Sequence, residues 1–154
     1  MKKGPSKQDF TQAFLKAGYR LTSQRGAIFD YLASLDGIHP SVRQIHGELK
    51  EQDASISLAT VYNTMGALVR LGLIRLIEFE SLENRYDLDM SPHINLLCSA
   101  CGDIQDLYVG SLIHVNCAME KRGFSVADFR LEYYGRCASC QGEGVTSPGA
   151  PLTA

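Results

Sequence analysis

A chain of 154 residues with 45% apolar content is the size of one domain or two small ones, with enough apolar residues for real cores. No run of about 18 apolar residues occurs, which excludes a membrane-spanning helix, and MKKGPSKQDF at the start has no apolar stretch behind its lysines, so no secretory signal is expected. A cytoplasmic protein is predicted, and in that compartment paired cysteines hold metal more often than they form disulfides.

The net charge of −2 conceals a division. Residues 1–77 carry ten Lys/Arg against six Asp/Glu, a net of +4, and residues 78–154 carry five against eleven, a net of −6. The excess is densest early, where Lys2, Lys3, Lys7, Lys16, Arg20 and Arg25 face only Asp9. A split of this kind suggests one half that binds a polyanion and one with another task, against the plainer reading of two solvated faces.

The first half reads as helices. DFTQAFLKAG puts Phe10, Phe14 and Leu15 on one face and ends at a glycine. LTSQRGAIFDYLASLDG offers Thr22 as N-cap, Ile28, Phe29 and Leu32 as an apolar face, and Gly37 as a stop. HPSVRQIHGELKEQ begins at a Ser41 cap and spaces Val42, Ile45 and Leu49 helically. SLATVYNTMGALVRLG follows, capped by Ser57, apolar at Val61, Met65, Leu68 and Val69, and ended by Gly72. The period then changes to two: LIRLIEFE and NRYDLD alternate around SLEN as a hairpin.

Helices followed by a hairpin is the order of a winged helix-turn-helix, with the helix before the wing in the DNA major groove. Its predicted exposed residues, Ser57, Thr60, Tyr62, Asn63 and Thr64, are hydrogen-bonding types. The second half shows strand-like HINLLCS, DIQDLYVG and DFRLEYYG, with a helical SLIHVNCAMEKRG before the last, a small α/β unit. The tail QGEGVTSPGAPLTA has too little apolar surface to fold, and disorder is expected.

Four cysteines form two clips, Cys98/Cys101 and Cys137/Cys140. Two CxxC turns close a tetrahedral thiolate site for Zn²⁺ that leaves no position open for water, a structural rather than catalytic site. A redox pair needs only one CxxC, so the duplication disfavours it, and a pair of disulfides is the other competitor. Cys117 reads as a buried core cysteine. A second set of ligand types, Asp87, His93, Asn95, Asp103 and Asp106, surrounds the first clip, with His39 before a helix. His93 and Asn95 share one strand face, and mixed nitrogen and oxygen donors suit Mn²⁺, Fe²⁺ or Zn²⁺. Lone histidines are usually structural or solvated, the reading for His46 and His114.

GYRLTSQRGAIFDYL, SISLATVYNTMGALVRLGLI, NRYDLD, HINLLCSACG and RLEYYGRCASC, taken in order across residues 9–140, resemble the ferric uptake regulator (Fur) superfamily. TVYN, Asp87 where iron-uptake members usually carry Glu, and GFSVADFRLEYYG look most like its peroxide-responsive (PerR) branch. The resemblance implies an α+β fold: an N-terminal winged helix-turn-helix DNA-binding domain over 1–90, and a C-terminal α/β dimerisation domain with a Cys₄ zinc site over 91–141. A disordered tail covers 142–154. It implies a homodimeric repressor on a palindromic double-stranded operator, structural Zn²⁺ on Cys98, Cys101, Cys137 and Cys140, and regulatory Fe²⁺ or Mn²⁺. His39, Asp87, His93 and Asp106 fall on regulatory-metal positions, and Asn95 stands where the family usually has a second histidine.

An additional metal site of many iron-uptake members is depleted, with Pro92 and Arg130 where histidines are expected. The DNA-contacting set is assigned to Lys16, Arg20, Thr22, Gln24, Arg25, Ser57, Thr60, Tyr62 and Asn63. In the peroxide branch, Fe²⁺ reacts with H₂O₂ and a ligating histidine is oxidised, with His39 and His93 the candidates here. That is self-inactivation without turnover, so no enzyme is expected. The alternatives are an iron- or zinc-responsive repressor of metal-uptake genes and, from another class, a zinc-stapled interaction module or small zinc enzyme without DNA binding.

Overall fold

The computed structural model describes residues 4–80, 82–108, 119, 121–125 and 130–141. Lys2, Lys3, most of the helix expected from SLIHVNCAMEKRG with His114 and Cys117, and the tail 142–154 lie outside the described residues.

Four helices come first: α1 (Lys7–Lys16), α2 (Ser23–Ser34), α3 (Val42–Gln52) and α4 (Leu58–Arg70). Each starts where a side-chain oxygen meets an otherwise unpaired backbone N–H: Ser6, Thr22, Ser41 and Ser57 accept from Asp9, Arg25, Gln44 and Thr60. Ser6 and Ser41 complete reciprocal capping boxes with Asp9 and Gln44. Chain reversals after α1 and α4 use Gly18 and Gly72, whose φ of 79° and 67° favour a residue without Cβ. Helix α2 stops at Ser34, before Gly37, so Gly37 serves the next turn rather than the helix end.

Phe10, Phe14 and Phe29 are fully buried and meet as an aromatic cluster, with ring centroids 5.5 Å (Phe10–Phe29) and 4.9 Å (Phe14–Phe29) apart. Ile28 and Ile45 join that cluster in one core with Val61, Met65 and Leu68 of α4. Leu15 is 57% exposed, because the buried stripe of α1 is the i, i+4 pair Phe10 and Phe14 and Leu15 is turned away from it. Thr64 is likewise not on the outer face of α4. It is fully buried, and its hydroxyl donates to the Thr60 carbonyl one turn back.

Strands β1 (Arg75–Ile77) and β2 (Arg85–Asp87) pair antiparallel as the predicted hairpin, with Arg75 opposite Asp87. A three-stranded sheet follows in the order β4-β3-β5, from β3 (Ile94–Cys98), β4 (Ile104–Leu107) and β5 (Leu131–Gly135). Strand β3 runs antiparallel to β4 and parallel to β5, and a short helix α5 (Ala138–Gln141) carries Cys140 of the second clip, with Cys137 just before it. The register sets Asn95 opposite Asp106 and Cys98 opposite Gly135. Among the described residues no helix is long and apolar enough to cross a membrane.

Phe29→Ala removes the ring shared by both aromatic contacts from a site that cannot collapse freely. A loss of about 3–5 kcal/mol in unfolding free energy is expected, read as a lower denaturant midpoint at unchanged slope.

Candidate metal centres and nucleic-acid surface

The parallel pairing of β3 with β5 delivers both clips to the same end of the sheet. Cys98 ends β3, the Ser99 N–H donates to the Gly135 carbonyl at 2.9 Å, and Cys137 follows two residues later. Gly102 closes the first turn with φ 73° and an N–H bonded to the Cys98 carbonyl at 2.9 Å. A Cβ there would lie 3.2 Å from the Leu82 side chain of the wing turn. All four cysteines are free of disulfides, and their sulfurs lie within 4.8 Å of one another. The Cys101–Cys137 separation of 3.7 Å matches the edge of about 3.8 Å expected for a tetrahedron with Zn–S bonds near 2.3 Å.

The protons of this cluster are unevenly held. The Cys137 N–H, 3.3 Å from the Cys98 sulfur, leads the effects that lower the Cys98 thiol to about 6. Hydrogen bonding among the neighbouring thiols, with Cys137 first, pushes Cys140 up to about 12. A metal that takes four thiolates must therefore displace protons, and the set suits Zn²⁺ in a closed site.

The second cluster is gathered from four segments. His39 precedes α3, Asp87 ends β2, His93 precedes β3, and Asn95 and Asp106 face each other across the β3–β4 ladder. His39 Nε2 lies 3.1 Å from Asp106 Oδ1 and 3.8 Å from Asp87 Oδ1. His93 Nε2 lies 3.2 Å from Asp87 Oδ2 and 3.9 Å from Asp106 Oδ1. Four buried atoms, Asp87 Oδ2, His93 Nε2, Asn95 Oδ1 and Asp106 Oδ1, have no hydrogen-bond partner in the protein. A buried polar atom without a partner costs about 1–3 kcal/mol, so several at one place mark the donor set of a cation. Burial is the main reason the Asp87 carboxyl lies above its usual range. At Asp106 burial acts the same way but is outweighed by the close His39 imidazole, the Tyr108 hydrogen bond and the His93 imidazole, and its carboxyl lies below that range.

Asp103 is not part of this group. It is exposed, and its carboxylate accepts from Gln105 at 3.0 Å. Residues the sequence reading passed over surround the cluster instead. Tyr108 donates toward Asp89 at 2.8 Å and Asp106 at 3.0 Å, and its ring lies 5.5 Å from that of His93. The alternation of Asp87, Asp89, Ser91 and His93, with Asp106 and Tyr108 two apart, was the available signal.

The family model described as "Ferric uptake regulator family" matches residues 16–134. This chain belongs to that family. It is 34% identical over 130 residues to the peroxide-responsive repressor PerR of Staphylococcus epidermidis, covering 84% of this chain and 86% of that protein. In structure it is similar to Fur of Helicobacter pylori, with a TM-score of 0.76 at 20% identity over 94% of this chain and 100% of that one, a likeness of fold. It is also similar to the ferric uptake regulator of Pseudomonas aeruginosa with manganese, with a TM-score of 0.73 at 25% identity over 83% and 97% of the two chains. The Fur-family chain described here is thus a metal-responsive transcriptional regulator and not an enzyme. Its Cys₄ cluster fits structural zinc, and its His/Asp cluster fits a regulatory metal.

Arg130, where the resemblance leads to the expectation of a histidine, acts in this Fur-family chain as a clamp. One guanidinium nitrogen donates to the Leu76 carbonyl of the wing at 2.9 Å, and the other lies 2.8 Å from Glu132. His46 is structural, with Nε2 3.1 Å from the Ile56 carbonyl.

The residues assigned to DNA fall into two groups. Lys16, Arg20, Tyr62 and Asn63 are exposed, Tyr62 by 48%. Thr22, Ser57 and Thr60 act in helix caps, Ser57 also meeting the Thr60 hydroxyl at 2.9 Å. Gln24 donates to the Ser55 carbonyl at 2.8 Å and so ties α2 to the turn before α4. Arg25 donates to the Arg20 carbonyl, and its guanidinium lies 5.5 Å from the Phe14 ring centroid.

Cys98→Ser is expected to release about one zinc per chain, measured by elemental analysis, with loss of folded structure in the C-terminal half. Acid should do the same by degrees. With Cys140 pushed up to about 12, zinc must displace protons throughout the neutral range, so its affinity falls as pH drops and falls more steeply below about 6, where the Cys98 thiolate is protonated too. An indicator titration between about pH 7.5 and about pH 5.5 reads this directly.

Proposed function

We propose that this chain is a dimeric repressor that binds a palindromic operator when a divalent metal joins its two halves, and that it leaves DNA when peroxide oxidises a ligand. His39, Asp87, His93, Asn95 and Asp106 are the ligands of this reading, and Cys98, Cys101, Cys137 and Cys140 hold the structural zinc. The observation that carries it is the set of four buried, unpartnered donor atoms converging from the wing and the C-terminal sheet, with His39 3.1 Å from Asp106. Identity of 34% to a peroxide-responsive repressor supports the choice of signal.

Each ligand has a distinct task. His39 and Asp87 belong to the helical and wing segments, and His93, Asn95 and Asp106 to the sheet, so one ion fixes the angle between them. A fixed angle lets two copies set their α4 helices into successive major grooves, which two-fold symmetry matches with a palindrome. Tyr62 and Asn63 read bases there, while Lys16, Arg20 and Arg25 contribute positive charge toward phosphates. A bound Fe²⁺ would supply the one-electron chemistry that opens a peroxide O–O bond and would regain its electron from the ring that is oxidised. His39 and His93 present their Nε2 atoms to the cluster, and one of their rings accepts an oxygen atom in place of a carbon-bound hydrogen. Per peroxide, one oxygen is inserted and one water leaves. The altered ring no longer matches the site, and the angle is released.

The Asn95 amide oxygen is a neutral donor and a weaker ligand for Fe²⁺ than imidazole, while Mn²⁺ tolerates oxygen donors. Asn95→His should tighten Fe²⁺ binding, and Asp87→Ala should remove metal-dependent DNA binding in either background. Asn63→Ala should weaken operator binding by about 1–3 kcal/mol and relax base preference. The deciding experiment is operator binding with Mn²⁺, Fe²⁺ or Zn²⁺, before and after peroxide, with peptide mass spectrometry. One added oxygen on His39 or His93 in the Fe²⁺ form alone, together with DNA release, is expected. Release without histidine oxidation would remove the switch, and neither oxidation nor release would favour iron or zinc as the signal.

A further inference from the structure

Asp89, which is not among the ligands of that reading, is linked to three of them, to Asp87 directly and to His93 and Asp106 through one residue each. It is 8% exposed and follows Asp87 by two residues. Its N–H donates to Asp87 Oδ1 at 2.8 Å. Its Oδ1 accepts from the Ser91 N–H at 2.8 Å, and its Oδ2 accepts from the Tyr108 hydroxyl at 2.8 Å. The Ser91 carbonyl lies 2.8 Å from His93 Nδ1. A carbonyl only accepts, so that contact places the proton on Nδ1 and leaves the Nε2 lone pair facing the cluster. Tyr108 in turn holds Asp106 Oδ2 at 3.0 Å, which leaves Asp106 Oδ1 turned toward His39 and His93.

We infer that Asp89, acting directly on Asp87, through Ser91 on His93 and through Tyr108 on Asp106, is the positioning residue that pre-sets the regulatory metal site. The inference rests on the ligand assignment proposed above. Each of the three ligands has its outward atom held by this network while its inward atom stays without a partner. Ordering several side chains at the moment of binding costs conformational entropy, and a prefixed set avoids that cost. The phenol adds a charge effect. It divides one proton between two carboxylate oxygens at 2.8 and 3.0 Å, so the shared hydrogen bond holds them against the mutual repulsion of two charged carboxylates. A cation beside Asp106 offsets that repulsion, which makes the network tighter with metal than without.

The test uses the full chain with its zinc in place, with Mn²⁺ affinity and the visible absorption of added Co²⁺ as readouts. Wild type should take about one Mn²⁺ beyond the zinc, and Asp87→Ala should not. Tyr108→Phe, at a half-exposed ring, should weaken Mn²⁺ binding by about 10–100-fold and shift the Co²⁺ bands, with zinc content and circular dichroism unchanged. Asp89→Ala should do the same, the double variant should be no worse than Asp89→Ala, and Asp89→Asn, which keeps an acceptor for Ser91, should recover part of the loss. If Asp89→Ala also loses zinc, Tyr108→Phe alone decides. A Tyr108→Phe protein with wild-type Mn²⁺ affinity and Co²⁺ spectrum, beside an Asp87→Ala protein that binds neither, would overturn the inference and leave the ligand assignment standing. Retention of Mn²⁺ by Asp87→Ala would overturn the assignment and the inference with it.

Discussion

Buried donor atoms that the protein does not satisfy are the constraint on which the rest of this structure depends. Asp87 Oδ2, His93 Nε2, Asn95 Oδ1 and Asp106 Oδ1 are all withdrawn from water and all lack a hydrogen-bond partner within the chain. Leaving such atoms apart in solvent would avoid the cost, so a metal-free chain gains little from closing its halves together. An ion of charge +2, bound as proposed, would reverse the balance by giving every one of these atoms a partner at once. Metal dependence is therefore a property of the closed interface itself rather than of a separate sensor attached to it.

The C-terminal sheet can serve such an interface only if it is rigid, and three short strands have little core with which to be so. Among the described residues of the sheet, Ile94, Asn95, Leu97 and Cys98 of β3 are buried, whereas Tyr133 and Tyr134 on β5 are 62% and 60% exposed. Small sheets of this kind need a staple, and four sulfurs within bonding range of one metal provide it at the end where β3 and β5 both stop. Arg130 adds a second tie, from the start of β5 to the Leu76 carbonyl of the wing.

Much of this was legible in the sequence because its signals are local. Ser41, Ser57 and Thr22 announce helix starts by one hydrogen bond each, Gly18 and Gly72 mark reversals, and a doubled CxxC has few other uses. The errors came where the outcome depends on which way a helix is rotated. Leu15 and Thr64 were assigned to the wrong sides of α1 and α4, since a residue at the border of an apolar stripe is settled only by what packs against it. Asp103 was drawn into the metal group by proximity in sequence, yet it lies in the turn between β3 and β4 and is exposed. Asp89 and Tyr108 were missed for the opposite reason: their partners lie 19 residues apart and meet only after the strands have paired.

Strand β3 lies between two ion sites. His93 stands just before it, Asn95 near its beginning and Cys98 at its end, so three residues, about 10 Å of pleated backbone at roughly 3.3 Å per residue, separate Asn95 from the first thiolate. Asn95 faces Asp106 only in one alignment of β3 with its neighbours, and a shift by one residue would turn its side chain to the other face of the sheet. Zinc on the four thiolates would tie β3 to β5 at one end and so favour that alignment. On the proposed ligand assignment, zinc would load first and shape the sheet, and the exchangeable ion would find its ligands aligned only afterwards. Starvation for zinc would consequently silence the response to the other metal even in a cell replete with it, whereas withdrawal of the exchangeable ion would leave the sheet, and its zinc, as they were.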